Sequence, residues 1–315
     1  PISATTRARH ARPCGTLSHG FVTKGIADDL AGRGAGLYDY RRISCIQLHG
    51  NKKIMKAIML AAGVGRRLFG EDHGQSPKAL LRFDGKTLLE RHIENLKDNG
   101  VDELVLVVGY RRDDILGEAK TIAGANYVSS IFNPRFRGGS IVSLWSAREV
   151  LRCGDDVLFM DADVLYHPAL IRRLIASSHK NCFLLDREIE NGEEPVKLCI
   201  RDGKPVDFGK NVTSDFDLLG EWPGFLRMSP AIGERLAAVT ESFVEQAKIE
   251  LIYEEAMRQV LVSEPPGTFG NEDFSDLPWI EIDFPADLMR AQKILPRISR
   301  AIGMDGGDED AAETA

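Results

Sequence analysis

An α/β fold with a mainly parallel sheet covered by helices is what this 315-residue sequence predicts, and three observations carry it. Short apolar runs recur along the chain and end in glycine or acid. Amphipathic stretches with helix start and stop signals lie between them. The alternation begins abruptly at Met55 and runs through the first half of the chain. Continuously apolar strands are those buried on both faces, and strand–helix alternation supplies the crossover connections that parallel sheets require.

Residues 56–62 form an apolar run ending in glycine and read as the first buried strand. Thr87-Leu88-Leu89-Glu90 is a capping box opening a helix that runs to about Asn99, where Gly100 stops it. Strands are predicted at 103–109 and 126–133, a helix at 141–151, a strand ending in acids at 156–163, and a helix at 168–178. The second half changes character. Residues 196–200 and 205–208 flank Arg201-Asp202-Gly203-Lys204, a hairpin signal. Helices are expected at 230–246 and 249–261, then a short strand at 279–283 and a helix at 285–294 with proline in its first turn. No internal repeat is visible.

The ends differ from this body. Residues 1–54 carry nine Lys/Arg against three Asp/Glu with little periodicity, and residues 301–315 carry five acids and no base. The first is expected to be an N-terminal extension outside the fold: a faintly transit-peptide-like segment, or the product of a start placed upstream of Met55. The second reads as a disordered acidic tail. Residues 55–300 are expected to form the one working domain. With 43% hydrophobic and 28% charged residues the chain has ordinary globular composition, and no apolar run approaches the roughly 18 residues of a membrane span. The body is acidic within a total of −7, which argues against a nucleic-acid surface. Any anionic substrate must therefore meet a local cluster of bases. The five scattered cysteines never form C-x-x-C, so reduced thiols in a cytoplasmic protein are expected.

The most specific segment is Leu60-Ala61-Ala62-Gly63-Val64-Gly65-Arg66-Arg67, followed by Ser76-Pro77-Lys78. Glycines directly after a buried strand let the backbone turn tightly and present N–H groups to phosphate oxygens, while Arg67 and Lys78 add positive charge. It is not a Walker A loop, because no Gly-Lys-Ser/Thr ends it, nor a Rossmann fingerprint, because the third glycine is missing. Acids complete the pattern. Asp161 and Asp163 close a buried strand at the sheet edge where ligands bind, and Glu281 and Asp283 alternate onto one face. Carboxylates of this kind suit Mg²⁺, which binds through one or two of them plus substrate phosphates. Solvated strand-end acids are the alternative.

Together these segments resemble the sugar-phosphate and alcohol-phosphate nucleotidyltransferases, whose signature is L-A-A-G-x-G-[ST]-R with a downstream P-K. The resemblance implies a three-layer α/β/α sandwich with a mixed, mainly parallel, seven-stranded-type sheet, related to the glycosyltransferase A fold. It implies that Leu60, Ala61, Ala62, Gly63, Gly65, Arg66 and Asp161 face the nucleotide. Arg67 and Lys78 bind and neutralise the reacting phosphates, and Asp163 and Asp283 hold Mg²⁺. Arg66 departs from the family's Ser or Thr.

Asn133-Pro134, Gly139-Ser140-Ile141-Val142-Ser143-Leu144, Asp-Ala-Asp and Glu-Ile-Asp-Phe-Pro-Ala-Asp-Leu are similar to the phosphocholine cytidylyltransferase-like branch. That branch acts on phosphocholine, aminoethylphosphonate, inositol phosphate and similar acceptors, usually with CTP. Asp207-Phe208-Gly209-Lys210 stands in place of the hexose-phosphate enzymes' E-K-P, making Lys210 the expected ligand of the acceptor's phosphate. Glu250 and Tyr253–Glu254 match the acid and aromatics that cradle a cationic headgroup, and Glu281 is grouped with the acceptor site.

The expected reaction is nucleotidyl transfer, CMP from CTP to a small phosphorylated or phosphonate acceptor with release of pyrophosphate, by a monomer or homodimer without nucleic-acid or membrane partners. Alternatives are a sugar-1-phosphate or inositol-phosphate nucleotidyltransferase, a glycosyltransferase of the related fold, and a non-catalytic nucleotide-binding module. Two unit charges about 4 Å apart repel by roughly 4 kcal/mol at a surface-like dielectric, so neutralisation of phosphate charge should dominate. A phosphate dianion needs no general base, and His73, His92, His167 and His179 are expected in surface or capping roles.

Overall fold

The computed structural model of the protein describes residues 54–70, 74–124, 126–190 and 194–299. Apart from Ile54, the segments expected to be an extension and a tail lie outside them. In chain order the described elements begin with β1 (Met55–Ala61), a short α1 (Arg66–Phe69), the hairpin β2 (Arg82–Phe83) and β3 (Lys86–Thr87), and α2 (Leu88–Asp98). β4 (Glu103–Val108), α3 (Arg112–Ala123), β5 (Val128–Phe132), α4 (Ile141–Ser146) and α5 (Arg148–Leu151) follow. Then come β6 (Asp156–Asp161), β7 (Val164–Tyr166), α6 (Ala169–Ala176), β8 (Cys182–Leu185), β9 (Lys197–Arg201) and β10 (Lys204–Gly209). The chain continues through β11 (Leu218–Glu221), β12 (Phe225–Met228), α7 (Pro230–Glu245), α8 (Tyr253–Ser263), β13 (Gly270–Asp273), β14 (Trp279–Glu281) and α9 (Pro285–Ile298).

Seven strands form the central sheet in the order β13-β8-β12-β6-β1-β4-β5. All neighbours are parallel except β12, which runs antiparallel to both β6 and β8. The chain moves outward from β1 through β4 to β5, then returns to the other side of β1 as β6. This reversal opens a crevice at the carboxyl ends of β1 and β6, the place where open α/β sheets bind ligands. Leu60 pairs with Asp161 there, so the glycine loop and the Asp-Ala-Asp turn leave the sheet side by side.

The local reasons match the sequence. Thr87 Oγ1 accepts the Glu90 amide at 3.0 Å and caps α2, whose Leu89, Ile93 and Leu96 face pack fully buried into the main core. Asp202 and Gly203 take φ of 50° and 71°, the two left-handed residues of a tight hairpin between β9 and β10.

Several boundaries differ. The helix expected over 141–151 breaks at Ala147 into α4 and α5. The strand expected to reach Asp163 ends at Asp161, leaving Ala162 and Asp163 in a turn. Pro285 starts α9 as expected, but the helix continues to Ile298 through an internal Pro296. α8 starts at Tyr253 rather than 249 and leaves Glu250 in the preceding turn. α3, β8 and β11 to β13 went unread: α3 contains Gly117 and weakly patterned charges, and the strands are only four residues long.

Candidate active site

Gly65 caps α1 with a φ of 76°, left-handed backbone that a residue bearing a Cβ adopts only with strain. This turn sends Arg67 back over the crevice. Pro77 places Lys78 at the start of a single 3₁₀ turn on the facing side. A cavity of about 440 Å³ lies between them, lined by Leu60 to Arg67, Lys78, Asp161, Asp163, Lys210, Tyr253, Glu254 and Glu281. The loop Phe136 to Ser140 forms another wall. Gly139 is required in that loop, because an added Cβ would stand 2.3 Å from the Leu251 carbonyl oxygen.

Ligand oxygens of Asp163, Glu281 and Asp283 lie within 4.8 Å of one another. Lys78 Nζ donates to Asp163 Oδ2 at 2.9 Å and to Asp283 Oδ1 at 2.6 Å. Burial alone would lower the Lys78 ammonium, but Asp163 and Asp283 outweigh it and hold its pKa above the ordinary value, so it stays charged. Arg67 reaches Asp283 Oδ2 at 2.9 Å and Glu194 Oε2 at 2.7 Å. Lys210 Nζ donates to the same Glu194 oxygen at 2.6 Å. Lys210 leaves the end of β10, where buried Asp207 takes a two-point contact from Arg258 at 2.7 and 3.1 Å. Burial would raise the Asp207 carboxyl, but Arg258 and the Thr213, Phe208 and Ser214 amides reverse this and hold it below the usual range.

Asp161 is turned toward α8 and accepts the Tyr253 hydroxyl. Burial and nearby Asp163 push the Asp161 carboxyl up, with the Tyr253 contact opposing them. Gly224 backs this group so closely that a Cβ would stand 2.7 Å from Asp161 Oδ2.

The structure thus gathers Arg67, Lys78, Asp163, Lys210, Glu281 and Asp283 at one end of the cavity, with Asp161 and Tyr253 along its wall. It does not bring Glu250 there: that side chain is exposed in the turn before α8 and is not among the lining residues. Its neighbour Glu254 is, at 9% exposure, and its Oε2 is buried without a hydrogen-bond partner among the described residues. Burial, with Glu255 adding to it, pushes this carboxyl up to about 7 despite Lys210 and Arg67. The resemblance pointed to Glu250 within a helix expected from 249, and the later start of α8 leaves that residue outside the helix. Glu194 carried no signal beyond membership of an acid-rich stretch.

His167 accepts the Ala169 amide at 3.1 Å and caps α6. His92 is a correction: it is fully buried beneath the Asp161–Asp163 turn. His73 lies outside the described residues.

A second cavity of about 690 Å³ adjoins the acids from behind, sharing Glu281 with the first and lined also by Asp283, Asp186, Glu221 and Trp279. Among the described residues, no helix is long and apolar enough to cross a membrane.

Residues 57–205 match the MobA-like NTP transferase domain model. The chain is 28% identical over 255 residues to CMP-5'-(3-aminopropyl)phosphonate synthase of Streptomyces rubellomurinus, covering 75% of this chain and 38% of that protein. It is 29% identical over 242 residues to the bifunctional IPC transferase and DIPP synthase of Rubrobacter xylanophilus, covering 76% of this chain and 51% of that one. The chain therefore spans about half the length, or less, of these two relatives. The inositol-1-phosphate CTP transferase from T. maritima superposes with a TM-score of 0.64 at 21% identity, over 79% of this chain and 98% of that one. Sheet order, crevice and glycine loop agree with that likeness: residues 57–205 are similar to the MobA-like NTP transferase domain, and the chain has the nucleotidyltransferase fold.

Proposed function

We propose that this protein transfers CMP from CTP to a small phosphate or phosphonate acceptor bearing an amine, with release of pyrophosphate. The observation that carries this reading is the meeting of three carboxylates, Asp163, Glu281 and Asp283, with three cations, Arg67, Lys78 and Lys210, at one end of a glycine-walled cavity. Opposite charges gathered at one point serve a reaction in which two anions must approach and charge moves from an attacking to a leaving oxygen.

The donor set fits Mg²⁺: all three groups offer hard oxygens, and none is sulfur or imidazole. Asp163 and Asp283 would hold the ion, which when bound neutralises phosphate charge. The glycine loop from Gly63 to Gly65 offers backbone to the triphosphate, and Arg67 and Lys78 flank it. Lys210 receives the acceptor's anionic group. An acceptor oxygen forms the new bond to the α-phosphorus, and the bond from that phosphorus to the bridging oxygen breaks, leaving pyrophosphate. The acceptor oxygen is already anionic at neutral pH, so no side chain has to take a proton from it. The amine is assigned to Glu254, whose unpartnered carboxylate oxygen is buried in the cavity wall close to Lys210. An acceptor positive at one end and negative at the other matches this pair, and the aminopropylphosphonate named in the Streptomyces relative's product has that character.

The test is pyrophosphate release with each NTP against a panel of aminophosphonates, amino-alcohol phosphates, inositol phosphate and hexose 1-phosphates. CTP with an amine-bearing acceptor should give the highest kcat/KM. A clear preference for inositol phosphate would move the acceptor to the polyols. Turnover confined to hexose 1-phosphates would overturn the acceptor assignment, and no pyrophosphate from any pair would overturn the reaction itself.

A further inference from the structure

One backbone group of each residue in the turn Asp161-Ala162-Asp163 has a hydrogen-bond partner from a different part of the chain. The Asp161 amide donates to the Gly224 carbonyl at 3.1 Å. The Asp163 carbonyl accepts the Ile282 amide at 3.0 Å, and Ile282 lies between Glu281 and Asp283. The middle carbonyl, of Ala162, lies 3.3 Å from His92 Nε2. Two of these partners are backbone. The third is a side chain, fully buried on α2, 70 residues earlier in the chain.

The protonation pattern follows from the partners. A carbonyl only accepts, so His92 Nε2 carries the hydrogen. Nδ1 of the neutral ring is then the acceptor and takes the Tyr166 hydroxyl at 3.1 Å. Asn95, one turn along α2 from His92, lies beside the same hydroxyl. Tyr166 is 4% and Asn95 8% exposed. The result is a dry relay of donors pointing one way, Tyr166 to His92 to the Ala162 carbonyl, and aligned bonds of this kind strengthen one another.

We propose that His92 is a positioning residue for the acidic turn: by holding the Ala162 carbonyl inward it aims the Asp163 carboxylate outward toward Asp283. Removing the donor strands a buried carbonyl, which costs more than losing a bond in water. The peptide rotates to find another partner, and both neighbouring aspartates turn with it. This rests on Asp163 and Asp283 as the cation ligands of the proposed reaction. Residues that orient ligands from behind change metal affinity by roughly 10–100-fold when removed.

The experiment uses the full chain and Mn²⁺ alone, with binding read by the loss of free-ion EPR signal and the turn read separately by hydrogen exchange of a peptide spanning residues 160–164. His92→Leu should weaken Mn²⁺ about tenfold or more and speed exchange in that peptide. His92→Gln, whose amide can replace the Nε2 donor, should restore both to within about threefold. His92→Asn, too short to reach, should not. If His92→Leu does not fold, Tyr166→Phe serves instead: it keeps the ring packed against Phe225 and removes only the hydroxyl that orients His92. It should give a smaller change of the same sign in both readouts. Wild-type affinity and exchange in a folded His92→Leu or Tyr166→Phe, or no recovery with Gln, overturns the proposal. A wild-type chain that binds no Mn²⁺ overturns the metal assignment instead, and the exchange readout still decides the role of His92.

Discussion

Arg67 and Lys210 meet at one oxygen: both donate to Oε2 of Glu194, at 2.7 and 2.6 Å. The two cations thus share a carboxylate where the proposed reaction needs them to share a phosphate. Glu194 is half exposed, as is Arg67, and exposed ion pairs contribute only about 0–1 kcal/mol, so a dianion can displace it. Glu194→Gln should lower the acceptor KM roughly two- to fivefold with kcat unchanged, because it removes a competing anion worth up to about 1 kcal/mol. Steady-state kinetics with varied acceptor at saturating CTP measure this. An unchanged or higher KM would show that Glu194 does not compete.

Asp163→Asn and Asp283→Asn should each lower kcat by roughly 100-fold or more, since a neutral amide is a poor ligand for a hard cation and removes a partner of Lys78. Circular dichroism and Tm should show a folded protein. Lys78→Ala should lower kcat/KM by a similar two decades, as its ammonium is buried and charge-assisted contacts in such a site are strong. Near-wild-type turnover of either aspartate variant at saturating Mg²⁺ would reject the metal site.

Glu254 carries a pH dependence of definite sign. Its carboxyl is pushed up to about 7 by burial, so it is mostly protonated at pH 6 and mostly ionised at pH 8. An amine-bearing acceptor should therefore bind better as pH rises through 7, with KM falling several-fold. Inositol phosphate, which shares the phosphate but lacks the amine, serves as the control and should lack this component. Glu254→Gln should remove the difference between the two profiles. Glu250→Gln should leave both unchanged, because that side chain is exposed outside the cavity. Loss of amine selectivity in the Glu250 variant alone would return the role to that residue.

Asp207 should matter to the loop that presents Lys210. Asp207→Ala removes the acceptor of the Arg258 fork and of the Thr213 and Ser214 amides, a loss of about 1–3 kcal/mol by the cost of stranding buried partners. Because its folded pKa lies below the ordinary value, its contribution is complete above the unfolded carboxyl range near pH 4 and is lost as pH falls through the folded value. Urea unfolding at pH 7 and pH 3 should show the wild-type advantage shrinking at the lower pH. The same advantage at both values would contradict the assignment.

The sequence by itself determined the sheet-and-helix alternation, the glycine turn and the identity of the acids, because each is written in neighbouring residues. A buried strand needs a run of apolar side chains, Gly65 needs its left-handed turn, and Thr87 needs an amide three residues on. The tertiary structure alone decided which of these act together. Asp163 and Asp283 meet at Lys78 because β6 lies beside β1 and the segment after β14 crosses the end of β7, contacts between residues far apart in the chain. The choice of Glu254 over Glu250 turned on where α8 begins: residues four apart share a helix face, but α8 starts at Tyr253 and leaves Glu250 in the turn before it. Glu194 and His92 were illegible for the same reason. A carboxylate beside two cations and an imidazole beneath a carbonyl are defined only by what the folded chain brings against them.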